Sequence, residues 1–204
     1  MPQSQLNHLL KRRPELAAIG PDIAEAFELL RDCYRAGGKV LLCGNGGSAA
    51  DADHWSGELL KGFCKKRPLT KPLRGKLRPA IANKLQGALP AIPLTSFPAA
   101  STAFGNDVEP VLAYAQLISA LGRPGDVLVG LSTSGNATNV CAAAEVARAK
   151  KMKILALTAA HGGKLKKLSD VCLRAPTSET YLAQEYHLSI YHCLSLMLEE
   201  EFFG

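Results

Sequence analysis

His54 and Glu58 stand four residues apart in the stretch 39–62, KVLLCGNGGSAADADHWSGELLKG. If that stretch is helical, the two side chains rise from one face, about 6 Å apart along the axis. An imidazole and a carboxylate so placed can work as an acid–base pair or supply half of a zinc shell. The bland alternative is a local hydrogen bond on a solvated face. The residues that precede the pair favour chemistry. Val40, Leu41, Leu42 and Cys43 form an apolar run of buried-strand type, and Gly44-Asn45-Gly46-Gly47 ends it. Ser48, with Asp51 at the third following position, reads as the N-cap of a helix of about four turns. Glycines let a ligand approach the backbone, and the first helical N–H groups lack intrahelical acceptors, so the turn suits an anion such as phosphate. The run is neither GxGxxG nor GxxxxGK[ST], so it gives a dinucleotide or nucleoside triphosphate no support.

A second stretch repeats this logic with hydroxyls. Asp126-Val127-Leu128-Val129-Gly130-Leu131 is a near-continuous apolar strand, and it feeds Ser132-Thr133-Ser134-Gly135-Asn136 before a helix over 137–150. One hydroxyl would serve as a helix cap. Three in a row after a buried strand can donate to phosphate oxygens beside backbone donors.

These residues need a scaffold, and the order of elements supplies one. Helices are expected over 3–11 and from Pro21 to the Gly37-Gly38 stop, with strands at 40–43, 91–95, 126–131, 153–158 and 171–173. Helices separate the strands, which implies a five-stranded parallel sheet covered on both faces, an α-β-α sandwich with extra N-terminal helices over 1–37. Ligands of such sheets gather beyond the strand C-termini, which puts 44–48 and 132–136 on one rim. A last helix over about 181–202 carries Gln184, Glu185, His187 and His192. Gln184 and His192 are about 12 Å apart along a straight axis and about 80° around it. Spacing alone does not choose that pair over His187 or Glu185.

The chain's 204 residues form one domain on this reading, and no stretch reaches eighteen apolar residues. The N-terminus has no apolar signal core. Cys33, Cys43, Cys64, Cys141, Cys172 and Cys193 show no CxxC, which suits reduced thiols in a cytoplasmic protein. Residues 59–86 hold nine lysines and arginines and no acid, and removing them turns the formal +6 of the chain into −3. That segment, broken by Pro68, Pro72 and Pro79, could be a solvated loop, a lid or a subunit contact near an anionic substrate. Phe63 is its only aromatic and no recognition helix surrounds it, so nucleic acid is not expected as a partner.

The stretches CGNGGSAADADHWSGEL (43–59), GND (105–107), LSTSGN (131–136) and AQEYHLSIYH (183–192) closely resemble those of the sedoheptulose 7-phosphate isomerases, or phosphoheptose isomerases, of the sugar-isomerase (SIS) domain family. The resemblance implies a flavodoxin-like SIS fold and an aldose–ketose isomerase. The expected reaction takes sedoheptulose 7-phosphate to D-glycero-D-manno-heptose 7-phosphate through an enediol, feeding ADP-heptose or related heptose biosynthesis. It implies that His54, Glu58, Gln184 and His192 hold one zinc ion per subunit, with Glu58 and His192 as base and acid. Asn45, Gly46, Gly47, Ser48, Ser132, Thr133 and Ser134 would surround the sugar phosphate, with Glu58, Asn106, Asp107 and Gln184 also contacting substrate. A homotetramer with active sites near subunit interfaces is implied as well. The chain departs from the family pattern at Ala137, where a serine is common, and at Lys61-Gly62-Phe63, where an arginine is. The basic segment, about 62–88, is longer than the corresponding loop of enterobacterial-type enzymes. Two further readings stand beside this one: a non-catalytic phosphosugar sensor or replication-initiator-associated adaptor, and an isomerase of a related phosphosugar.

Overall fold

The computed structural model describes residues 2–204. Helices α1 (Pro2–Arg12) and α2 (Gly20–Arg35), joined by a 3₁₀ turn, precede β1 (Val40–Cys43) and α3 (Gly47–Leu60). The basic segment contains two single-turn helices, α4 (Lys71–Arg74) and α5 (Pro79–Ala82), before β2 (Ala91–Pro93). Then come α6 (Pro98–Asp107), α7 (Ala113–Leu121), β3 (Val127–Leu131), α8 (Thr138–Ala149), β4 (Lys153–Thr158), α9 (Leu165–Leu168), β5 (Val171–Arg174) and α10 (Thr180–Phe203). The second strand is shorter than expected, because Pro93 lacks a ladder donor and the chain turns 3₁₀ at Leu94. No helix among the described residues is long and apolar enough to cross a membrane.

The sheet runs β2-β1-β3-β4-β5, every pair parallel. Side chains alternate across it with period two. Val40, Leu42, Val127, Val129, Leu131, Leu155 and Leu157 join a core built with α1, α2, α3 and α10. Leu41, Cys43, Leu128, Ile154 and Ala156 join the core under α7, α8 and α9. Both faces are therefore dry, which is why the strands read as unbroken apolar runs rather than alternating ones. From β1 the chain crosses to β2 on one side and, through β3, to β4 on the other. The loops after β1 and β3 consequently flank the topological switch point, where sheets of this kind open a crevice.

The basic segment is anchored to the fold at both ends. Glu199 of α10 accepts backbone hydrogen bonds from Phe63 (2.8 Å), Cys64 (2.8 Å) and Lys65 (3.0 Å), and one from Arg67 Nε at 2.8 Å. Arg67, counted in the sequence among the segment's surface charges, is only 1% exposed. Its Nη1 and Nη2 donate to the carbonyls of Leu59 (2.8 Å) and Glu58 (2.9 Å), capping the end of α3. Between the anchors the remaining lysines and arginines lie on the surface.

Candidate active site

Two loops and one helix shape a cleft of about 400 Å³ at the switch point, lined by Asn45–Ser48, Ser132–Ser134, Ala137, Thr180 and Gln184. In the first loop the capping differs from expectation. Helix α3 begins at Gly47, and its N-cap is Gly46 at φ 55°, ψ −122°, with no side-chain cap. Only glycine takes that conformation readily. Ser48 is thereby freed from capping; it is buried and faces the cleft. A Cβ on Gly47 would stand 2.5 Å from Gln184 Nε2, so glycine is what lets the Gln184 amide lie over this turn.

In the second loop the hydroxyls are likewise free of capping duty, since α8 has Ala137 as N-cap and no side-chain cap bond. Ser132 Oγ and Ser134 Oγ lie 3.5 Å apart, and Ser134 Oγ accepts from Asn136 N at 3.1 Å. Gly135 at φ 64° packs so tightly on Gly162 that a Cβ would meet its carbonyl oxygen at 2.1 Å. Asn45 and Asn139 exchange two amide hydrogen bonds, at 2.9 and 2.8 Å, which tie the first loop to α8. Asn139 and Thr180 were not singled out from the sequence, since neither sits in a recognisable motif.

The second group lies further along α3 and α10. These helices meet at Gly47 against Gln184, and again at His54 against His192, whose ring centroids are 5.1 Å apart at 81°. Seven residues of α3 separate the two meetings, about 10 Å of helix. His54 Nε2 is 3.3 Å from Glu58 Oε1. Glu58 Oε2 is buried without a hydrogen-bond partner, with Lys61 Nζ outside hydrogen-bond range at 3.6 Å. His192 Nε2 is also buried and unpartnered. Burial, and after it the neighbouring His54, lowers the His192 pKa against the opposing pull of Glu58, so the imidazole is neutral at pH 7.

The zinc expectation is overturned here. Among the described residues no group of three or more His, Cys, Asp and Glu could hold a metal ion. The four proposed ligands do not converge. Gln184 lies against Gly47 in the cleft, His54 and Glu58 engage one another, and His192 meets His54 in an edge-to-face ring contact. His187, an alternative candidate, is a core histidine: fully buried, Nε2 is 3.1 Å from the Thr158 carbonyl, and burial lowers its pKa to about 4. Asn106 and Asp107 lie outside the cleft, exposed at the end of α6 and hydrogen-bonded to each other at 2.9 Å.

Comparison with known proteins fits this arrangement. Two family models, both described as SIS domain, match residues 6–88 and 105–198. The chain is 40% identical over 185 residues to a phosphoheptose isomerase of Rhodospirillum rubrum, covering 91% of this chain and 88% of the relative. It is 38% identical over 196 residues to one of Shewanella loihica, covering 94% and 90%. A solved phosphoheptose isomerase from Neisseria gonorrhoeae superposes with a TM-score of 0.76 at 32% identity, covering 97% of this chain and 96% of that one. With two SIS-domain matches and identity of 38–40% to these relatives over nearly its whole length, the chain belongs to the phosphoheptose isomerase family of SIS-domain proteins.

Proposed function

We propose that this protein is an aldose–ketose isomerase acting on a heptose phosphate, converting sedoheptulose 7-phosphate to D-glycero-D-manno-heptose 7-phosphate. One observation carries the reading. The helix pair α3/α10 bears a hydroxyl- and glycine-lined cleft at one meeting point and two buried atoms without a hydrogen-bond partner, Glu58 Oε2 (3.6 Å from Lys61 Nζ) and His192 Nε2, at the other. A phosphoryl group on the terminal carbon would occupy the cleft, held by Ser48, Ser132, Thr133 and Ser134. The carbonyl end of an extended sugar would reach toward Glu58 and His192. Glu58 Oε2 takes the proton from the carbon beside the carbonyl and returns it to the neighbouring carbon. His192, half-buried and with its pKa lowered by burial, carries a proton between the two oxygens.

Gln184, between the two ends, is suited to a sugar hydroxyl. Ala137 on the cleft wall supports the second reading, a related phosphosugar, because it offers no hydroxyl there. A homotetramer with its sites near subunit contacts is supported by the exposed apolar Val108, Leu112, Tyr181 and Leu188. Such contacts would also cover Asn106 and Asp107. The test is to incubate the purified protein with sedoheptulose 7-phosphate in D₂O and follow it by NMR. Aldoheptose phosphate carrying deuterium at the carbon beside the carbonyl is expected. Neither exchange nor product would overturn the assignment.

A further inference from the structure

Asn139, in the first turn of α8, does not line the cleft; it lines a neighbouring cavity of about 340 Å³ with Thr95, Ser101 and Tyr114. Asn45 does line the cleft. The two amides pair reciprocally, Asn45 Nδ2 donating to Asn139 Oδ1 at 2.9 Å and Asn139 Nδ2 to Asn45 Oδ1 at 2.8 Å. We propose that Asn139 is a positioning residue for phosphate binding, which orients the Asn45 amide and holds the β1–α3 loop against α8.

A reciprocal amide pair is degenerate by itself, because turning both side chains over restores the same two bonds. Here a third bond removes the degeneracy. Asn139 Oδ1 also accepts from the backbone N–H of Val140 at 3.0 Å. If the Asn139 amide were turned over, its NH₂ would face that N–H, donor against donor. The α8 backbone therefore sets Asn139, and Asn139 sets Asn45. One Asn45 amide hydrogen goes to Asn139 Oδ1, and the second is left as a donor on a cleft-lining residue. The opposite orientation would put a carbonyl oxygen where that N–H lies, and a carbonyl repels the phosphate oxygen that an N–H attracts. Tyr114 anchors the preceding residue, its hydroxyl donating to the Gly44 carbonyl at 2.6 Å. Gly46, the next residue, is at φ 55°, a conformation that glycine enters and leaves at little cost. The amide pair is what restrains the loop between these two points.

This role rests on the cleft as the phosphate end of the proposed isomerase site, so inorganic phosphate is the first probe. Calorimetry on the native protein gives the reference Kd. Asn139→Ala removes the amide pair, and Asn139→Leu removes it while keeping a side chain of similar shape beside the neighbouring cavity. Both should raise the Kd for phosphate about fivefold, the weight of about one net hydrogen bond, with the melting temperature within a few degrees of native. The KM for sedoheptulose 7-phosphate should rise by a similar factor with kcat within about twofold, as lost binding common to ground state and transition state requires. Asn45→Ala breaks the same pair from the other side, so adding Asn139→Ala to it should weaken phosphate binding no further. Full additivity in that cycle, or native phosphate affinity in Asn139→Leu, overturns the proposal. A fall in kcat at unchanged KM, or a large loss of stability in both variants, does so too. A native protein without phosphate affinity overturns it together with the phosphate assignment. A native protein that binds phosphate but does not isomerise the heptose phosphate sinks the functional reading alone, and the cycle in phosphate affinity still decides the role of Asn139.

Discussion

Replacing Arg67 by Met tests the tie between the basic segment and α3. The side chain keeps its aliphatic bulk but loses the guanidinium, and with it three hydrogen bonds: to Glu199 Oε1, to Leu59 O and to Glu58 O. It also loses the position 5.0 Å above the Phe203 ring. Both partners of the ion pair are sealed, at 0% and 1% side-chain exposure, so Glu199 is left as a buried charge held only by backbone donors. Breaking such a pair by removing one partner costs about 3–5 kcal/mol, a large share of the roughly 5–15 kcal/mol that holds a domain folded. Folding lowers the Glu199 pKa: burial pushes it up, but the Phe63 and Cys64 amides and Arg67 outweigh that. A depressed carboxylate pKa contributes stability that is present above the unfolded value of about 4.5 and lost as pH falls through the folded value. The difference between native and Arg67→Met should therefore be full at pH 7 and shrink below about pH 4.5. Urea unfolding at the two pH values reads it, and the cycle with Glu199→Leu isolates the pair. The double variant leaves no unpaired buried charge but strips the Phe63, Cys64 and Lys65 amides of their acceptor, so it should recover only part of the loss. A loss below about 1 kcal/mol at pH 7, or strict additivity in the cycle, would refute the reasoning.

Three further outcomes follow from the same geometry. Ser132→Ala with Ser134→Ala should leave the melting temperature within a few degrees but raise the Kd for inorganic phosphate at least about tenfold, since each lost hydrogen bond to a charged group is worth about 1.5–3 kcal/mol; unchanged phosphate binding by calorimetry would remove that assignment. Gly47→Ala meets only the end of the Gln184 side chain and should fold normally while raising KM, whereas Gly135→Ala, at positive φ and against the Gly162 backbone, should lower stability measurably; equal melting temperatures for the two would contradict the contrast. The buried His187 must stay neutral, so its contribution is present above pH 6.5 and lost as pH falls toward 4, about 3 kcal/mol in all. His187→Gln, which can still donate to the Thr158 carbonyl, should flatten that part of the stability–pH curve, and an unchanged curve would count against it.

What the sequence made legible follows from where its signals are local. Strands buried on both faces leave unbroken apolar runs, and glycine turns mark where they end, so the five strands and the two cleft loops could be placed by position alone. The Ser48 cap failed for a local reason too: a glycine at positive φ took the capping position, and no side-chain pattern announces that. The zinc set failed because family spacing specifies which residues approach, not which atoms converge. His54 and His192 do approach, but ring to ring, and Gln184 lies at the cleft end of the helix pair, over Gly47. Arg67 was invisible for the opposite reason. Nine positive residues without an acid read as a solvated surface, and the partner that buries this one, Glu199, lies 132 residues away.

That distant pairing explains how the chain carries its long basic segment beside the proposed base. The entry to the segment is fixed by four hydrogen bonds to Glu199, and its exit returns through Gly62 N to Gln86 Oε1 at 2.6 Å and Gly87 N to Arg67 O at 2.6 Å. Once its ends are clamped, loop length adds little free energy, about 0.6 kcal/mol for each doubling. Sequence between the clamps can therefore lengthen and change charge without displacing the last turn of α3. The clamp itself has no such freedom, because the guanidinium that closes the loop also donates to the carbonyl of Glu58. Variation in the exposed stretch between α4 and α5 should leave the chemistry in place, whereas variation at Arg67 or Glu199 reaches the active site through the backbone of the residue proposed as its base.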